Sequence, residues 1–149
     1  MQVAFGTDHG GFGLKDTLIR EIESLGHEVL DYGAFEYQPD DDYPDFAEAV
    51  ARSISGGVAS KGMLLCGSGV GASIAANKVA GVRASVCHDE YSARQGVEHD
   101  DMNIICLGAR IIEGELAKEL IRVFLVANFS GVERHKRRLG KVLNIEGKA

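Results

Sequence analysis

The chain has 149 residues, 45% of them hydrophobic and 26% charged, with a net charge of −6. That suffices for one globular domain over residues 1–149 with a buried core, and it argues against a nucleic-acid surface, so any anionic ligand has to be met by a local cluster of cations. No apolar run approaches the roughly 20 residues of a membrane span, residues 1–6 lack the basic segment of a secretory leader, and three cysteines without paired short spacings argue against a disulfide framework or zinc ribbon; the expectation is a cytoplasmic protein with reduced thiols and no membrane partner.

In chain order, the spacing predicts a strand over Gln2–Thr7 and an amphipathic helix over 12–25, in which Leu14, Leu18, Ile22 and Leu25 share one face. A strand over 27–31 follows, then an acidic stretch over 38–45 that holds both prolines, Pro39 and Pro44, and reads as a surface connection or lid. Next come a helix over 45–55, a strand over 62–66 and a helix opening at 71–76. A strand over 83–87, a short helix over 90–97, a strand over 104–107, a long helix over 115–127 and a basic helical tail over 132–148 complete the pattern. Five βα units with mostly apolar strands predict a three-layer α/β/α sandwich around a five-stranded parallel sheet, Rossmann-like, whose strand order stays open.

In such sheets ligands bind outside the carboxyl ends of the strands. Those ends offer Asp8-His9-Gly10-Gly11, then Cys66-Gly67-Ser68-Gly69-Val70-Gly71, then Cys87-His88-Asp89 and Gly108-Ala109-Arg110. Amides of the loop after Cys66 can form an anion nest that would stabilise a developing oxyanion and favour a Cys66 thiolate able to act as a base. The plainer reading is a tight glycine turn with Cys66 as a small buried residue, and for Cys87 and Cys106, inside predicted strands, the plainer reading is preferred. A dinucleotide fingerprint with Asp89 as the ribose carboxylate fits poorly, because the glycines run G-x-G-x-G after the third strand. A phosphatase loop C-x5-R fails at Ala72, and a receiver domain would need aspartate where Cys66 stands.

Two polar clusters remain. Residues 88–94 and 98–103 contain His88, Asp89, His99, Asp100 and Asp101 without tight ligand spacing, so no metal site is expected there and a solvated loop is the plain alternative. Arg134 and Arg138 stand at i and i+4, on one helix face, where two guanidinium groups can grip a phosphate; an ordinary basic helix end is the alternative.

The strings D-H-G-G at 8–11, C-G-S-G-V-G-A-S-I-A-A-N-K at 66–78, H-D-E-Y-S-A-R at 88–94, E-H-D-D-M-N at 98–103, C-L-G-A-R at 106–110 and R-H-K-R-R at 134–138 together resemble the ribose-5-phosphate isomerase B and galactose-6-phosphate isomerase family over nearly the whole chain. The resemblance implies a Rossmann-like subunit that forms homodimers or homotetramers with active sites shared between subunits, needs no metal or organic cofactor, and acts on a small phosphosugar. It implies that Cys66 is the base moving a proton between C1 and C2, that Gly67, Ser68, Gly69 and Gly71 cradle the enediolate oxygen, and that His99 opens the sugar ring from the partner subunit. It further implies that Asp8 and His9 contact the sugar, that Tyr43 helps enclose it, and that Arg110, Arg134 and Arg138 surround the phosphate with His9 nearby. Some relatives carry a glutamate base where this chain has Ala72, which leaves Cys66 alone in that role. Asp100 stands where many pentose-phosphate isomerases of this kind have asparagine, an added carboxylate at the sugar. The expected reaction is interconversion of ribose 5-phosphate and ribulose 5-phosphate. A hexose 6-phosphate substrate (allose or galactose) and a non-catalytic phosphosugar-binding domain are the alternatives.

Overall fold

The computed structural model describes residues 1–147, so Lys148, the end of the expected basic helix, lies outside the described residues. The chain runs β1 (Gln2–Thr7), a 3-10 turn (Phe12–Leu14), α1 (Lys15–Ser24), β2 (Glu28–Asp31), α2 (Tyr43–Ser55), β3 (Lys61–Cys66), α3 (Val70–Ala76), β4 (Ala84–Val86), α4 (Glu90–Asp100), β5 (Ile104–Gly108), α5 (Gly114–Val126) and α6 (Glu133–Glu146).

Three elements differ from the sequence-based expectation. The helix expected over 12–25 is a 3-10 turn, closed by Leu14 N–H to Gly11 O at 3.0 Å, followed by a shorter α1. Tyr43 and Pro44 belong to the first turn of α2 and not to the acidic loop, because a proline's missing N–H costs nothing there. The helix expected over 90–97 continues to Asp100 and ends at Asp101, whose left-handed φ of 52° stops it; His99 and Asp100 therefore lie on its last turn, not in a solvated loop.

The sheet is all-parallel in the order β2-β1-β3-β5-β4. The chain leaves β1 toward β2 on one side and returns to β3 on the other, so the order reverses between β1 and β3, and the crevice for a ligand opens beyond their carboxyl ends. Odd residues of the central strands, Val3, Phe5, Met63, Leu65, Ile105 and Leu107, pack under α1, α4 and α5. Even residues, Ala4, Leu64, Cys66, Ile104 and Cys106, pack under α2 and α3. Both faces are buried, which explains the continuous apolar strands and gives the three-layer α/β/α sandwich. The second face is built from small residues, Ala47, Ala51, Ala72 and Ala76 against Ala4, so α2 and α3 sit close to the sheet and bring their N-termini to its carboxyl edge. Among the described residues no helix is long and apolar enough to cross a membrane.

Candidate active site

At the end of β1, Asp8 is buried and its Oδ1 accepts the Gly10 and Gly11 N–H groups at 2.8 and 3.2 Å, which turns the chain sharply back over the sheet mouth. His9 stands on this turn. Its main-chain N–H (3.0 Å) and its ring Nδ1 (2.6 Å) both meet Asp41 Oδ1, so Nε2 is the nitrogen a ligand can use. The Asp41 hydrogen bond, with the charges of Asp8 and Asp41, raises the His9 pKa above its ordinary value, against partial burial and the nearby Arg110.

Asp41 is the residue that sequence reasoning missed: it lay inside the acidic stretch read as a surface loop. Nothing in a run of three aspartates tells which one turns inward. The partner of Asp41, His9, lies 32 residues away, and nearer β2 the buried Lys15 of α1 ties down the chain, binding Asp31 Oδ2 at 2.8 Å and Ala34 O at 2.6 Å. Asp8, His9 and Asp41 each bring one donor atom within 4.8 Å of the others, a spacing that could take a cation. Asp8 Oδ1 already accepts two amides, and His9 Nδ1 and Asp41 Oδ1 already meet each other.

At the end of β3, Cys66 pairs with Gly108 of β5 and is 6% exposed; the Gly69 N–H points at its Sγ from 3.0 Å. Gly69 has φ of 81°, a conformation that favours glycine, and this bends the loop so that its amide meets the sulfur. Ser68 Oγ accepts the Val70 N–H at 3.3 Å. Gly108 is required beneath the loop, since a Cβ there would stand 2.7 Å from the Ser68 carbonyl carbon. The Tyr43 ring, at the first turn of α2, covers Gly71: a Cβ on residue 71 would lie 2.7 Å from Tyr43 Cζ. Arg110 lies beside Gly67, and its N–H donates to Gly67 O at 3.0 Å. Asp8, His9, Tyr43, Cys66, the loop 67–71 and Arg110 thus form one group at the carboxyl edge.

Asp89 and His88 do other work. Asp89 caps α4, accepting the Ser92 N–H at 2.8 Å and the Ser92 hydroxyl at 2.7 Å, and these bonds hold its carboxyl below the usual carboxylate range. It is a helix cap, not a ribose ligand. His88 Nε2 accepts the Gly108 N–H at 3.0 Å and joins the ends of β4 and β5.

His99, Asp100, Arg134 and Arg138 form a second group elsewhere. α4 descends from the carboxyl end of β4, and only residues 101–103 separate Asp100 from Ile104, which pairs with Gly62 and Ala84 at the amino edge of the sheet. Gly62 and Cys66 are four residues apart on β3, about 13 Å at ~3.3 Å per residue. His99 and Cys66 therefore lie on opposite edges of one chain. α6 crosses the same amino edge: Ser130 N–H bonds Glu98 O at 2.9 Å, and the His99 and His135 ring centroids are 4.0 Å apart. Arg134 and Arg138 thus stand on α6, away from Arg110 and His9 at the carboxyl edge, an arrangement consistent with the expectation of sites shared between subunits. Among the described residues none of these three arginines forms an ion pair with a carboxylate, so their charge is available to an anion.

Residues 3–142 match the family described as Ribose/Galactose Isomerase. The chain is 42% identical to the Escherichia coli protein named ribose-5-phosphate isomerase B, across 97% of this chain and 96% of that one. It is also 42% identical to a D-erythrulose-4-phosphate isomerase of Pectobacterium atrosepticum, across 88% and 86%. The solved structure of type B ribose 5-phosphate isomerase from Trypanosoma cruzi superimposes with a TM-score of 0.96 at 43% identity, covering 100% of both chains. The thiol under its glycine loop, the arginines on two edges and these full-length likenesses agree on one conclusion, that this chain belongs to the Ribose/Galactose Isomerase family.

Proposed function

We propose that this chain, as a single domain over 1–149 working in the cytoplasm, is an aldose-ketose isomerase that interconverts ribose 5-phosphate and ribulose 5-phosphate through an enediolate, without a metal or organic cofactor. The observation that carries the reading is Cys66 Sγ held at 3.0 Å from the Gly69 amide at the sheet mouth, beside His9 and Arg110, in a chain of this family.

The two groups on opposite edges complete one site if two chains pair with the carboxyl edge of one against the amino edge of the other. In that homodimer His99 of one subunit, with Asp100 at the sugar hydroxyls, faces Cys66 of its partner. Phosphate binds among Arg110, His9 and the partner's Arg134 and Arg138, whose grip orients the reacting end. Asp8, His9 and Tyr43 enclose the sugar. His99 protonates the ring oxygen and the anomeric O1–H gives its proton to water as the ring opens to the aldehyde. The Cys66 thiolate takes the C2 proton, the negative charge that develops on O1 rests on the amides of Gly67, Gly69 and Gly71 and on the Ser68 hydroxyl, and as the Cys66 thiol returns the proton to C1 the O2 hydroxyl proton passes to O1, leaving the ketone at C2.

The test is isomerisation of ribose 5-phosphate by purified protein with EDTA present. Allose 6-phosphate, galactose 6-phosphate and erythrose 4-phosphate run in parallel, because Asp100 and the Pectobacterium relative leave substrate length as a second reading. Cys66→Ala is expected to lower kcat by on the order of 10³ or more while phosphosugar binding by calorimetry persists. Turnover retained in that variant removes the thiolate mechanism, and silence of the wild type on every sugar leaves a binding domain.

A further inference from the structure

His135 has no task in the chemistry just described, yet it is 2% exposed and every part of its ring is engaged by a residue of the second group or its support. Arg134 Nε, which can only donate, lies 3.2 Å from His135 Nε2. That nitrogen therefore carries the lone pair, and the ring proton sits on Nδ1, where Ser130 Oγ accepts it at 2.7 Å. The ring face lies against His99, with centroids 4.0 Å apart and planes inclined by 31°. On its other side His99 meets Gln95, whose Nε2 stands 2.9 Å from His99 Nδ1. With that amide nitrogen donating, the His99 proton rests on Nε2, the tautomer that can hand a proton to a sugar ring oxygen.

Burial, then the charges of His99, Arg134 and Arg138, hold the His135 pKa below its ordinary value against the opposing pull of Asp100. A neutral partner matters here, because an imidazolium stacked on His99 would repel the proton His99 has to carry. A histidine that only filled space would bring two polar nitrogens into the interior for nothing that an apolar side chain could not supply.

We propose that His135 is a positioning residue that locks the ring-opening imidazole of His99 and the phosphate-binding guanidinium of Arg134 into one fixed relation, its face orienting the first and its edge the second. The inference rests on the roles proposed above for His99 and Arg134. Its chemical consequence is that phosphate grip and ring opening are set by one buried side chain.

Two variants separate the face from the edge. His135→Phe keeps a ring against His99 and loses both hydrogen bonds; it is expected to raise KM for ribose 5-phosphate about tenfold with kcat within about threefold of wild type. His135→Leu loses both contacts and is expected to raise KM similarly and to lower kcat by a further tenfold or so. A second readout excludes general damage. Ribulose 5-phosphate has its 5-hydroxyl phosphorylated and cannot close a furanose ring, so exchange of its C1 hydrogen with D2O needs the proton transfer at carbon and no ring chemistry. In His135→Leu that exchange, followed by NMR, is expected to stay within about threefold of wild type while net isomerisation falls. Exchange and isomerisation falling together, or neither falling, overturns the proposal, and an unchanged KM in His135→Phe overturns the Arg134 half. His99→Asn runs alongside. If it too fails to separate exchange from isomerisation, the ring-opening role of His99 is wrong; if it separates them and His135→Leu does not, only this inference fails.

Discussion

His9 and Asp41 carry the clearest pH signature at the scale of single residues. Asp41 holds the imidazolium of His9, so its folded-state pKa lies above the ordinary 6.5. The stabilisation from this pair is fully present below that unfolded value and is lost as pH rises through the raised one. Under the proposed reading the imidazolium counts among the cations facing the phosphate, so KM should rise as pH passes the His9 pKa. Asp41→Asn keeps an acceptor without its charge and should move that rise to lower pH. An unchanged KM profile would mean that His9 does not meet the phosphate as a cation. Among the cysteines, burial pushes Cys87, just past the end of β4, up to about 11 and Cys106, within β5, higher still, so both remain buried thiols. The grouping of Asp8, His9 and Cys66 at the sheet mouth was readable because a strand end followed by glycines is a local pattern. Asp41 was not, because the groups it meets, the His9 main-chain N–H and ring, lie 32 residues away in sequence.

β4 lies at one edge of the sheet, and the fold covers it with a side chain. Asn77, just beyond α3, accepts the Ala84 N–H at 2.9 Å and donates to Ala84 O at 2.8 Å, occupying the main-chain groups that another strand would use. Asn77→Ala should cost about 1 kcal/mol in urea unfolding, the net worth of the lost hydrogen bonds in an exposed setting, and should favour edge-to-edge association at high concentration. A variant with wild-type stability and no added association would show that water caps the edge equally well. Element existence was legible throughout from apolar periodicity, whereas the ends of elements were set by capping. Pro44 fits the first turn of α2 and Asp101 closes α4 in a left-handed conformation, so Tyr43 and His99 both moved from expected loops onto helices. That shift matters for function, since a side chain on a helix end is held more firmly than one on a loop.

At the scale of the whole molecule, the parallel sheet places the Cys66 group and the His99 group on opposite edges of one chain. A dimer that joins them makes a prediction a monomer cannot: Cys66→Ala and His99→Asn chains, each inactive alone, should regain activity when mixed and allowed to exchange subunits. Half of the random dimers are then mixed, and one of the two sites in each mixed dimer is intact, so recovery should approach about a quarter of wild type. No recovery, with subunit exchange verified by mass spectrometry, would place both residues in a site built from one chain.

The order of apolar strands and amphipathic helices and the place of the glycine turns were determined by the sequence alone, because periodicity and glycine spacing act over a few residues. Family membership followed from those motifs in series. Only the tertiary structure decided the strand order β2-β1-β3-β5-β4, the inward turn of Asp41, the contact of His135 with His99, and the separation of His99 and Arg134 from Cys66. Those depend on which elements pack side by side. That choice is made by complementary small and large residues on the two faces of the sheet, Ala4 of β1 with Ala51 of α2 on one, Phe5 of β1 with Phe124 of α5 on the other. No local stretch of sequence contains both sides of such a contact.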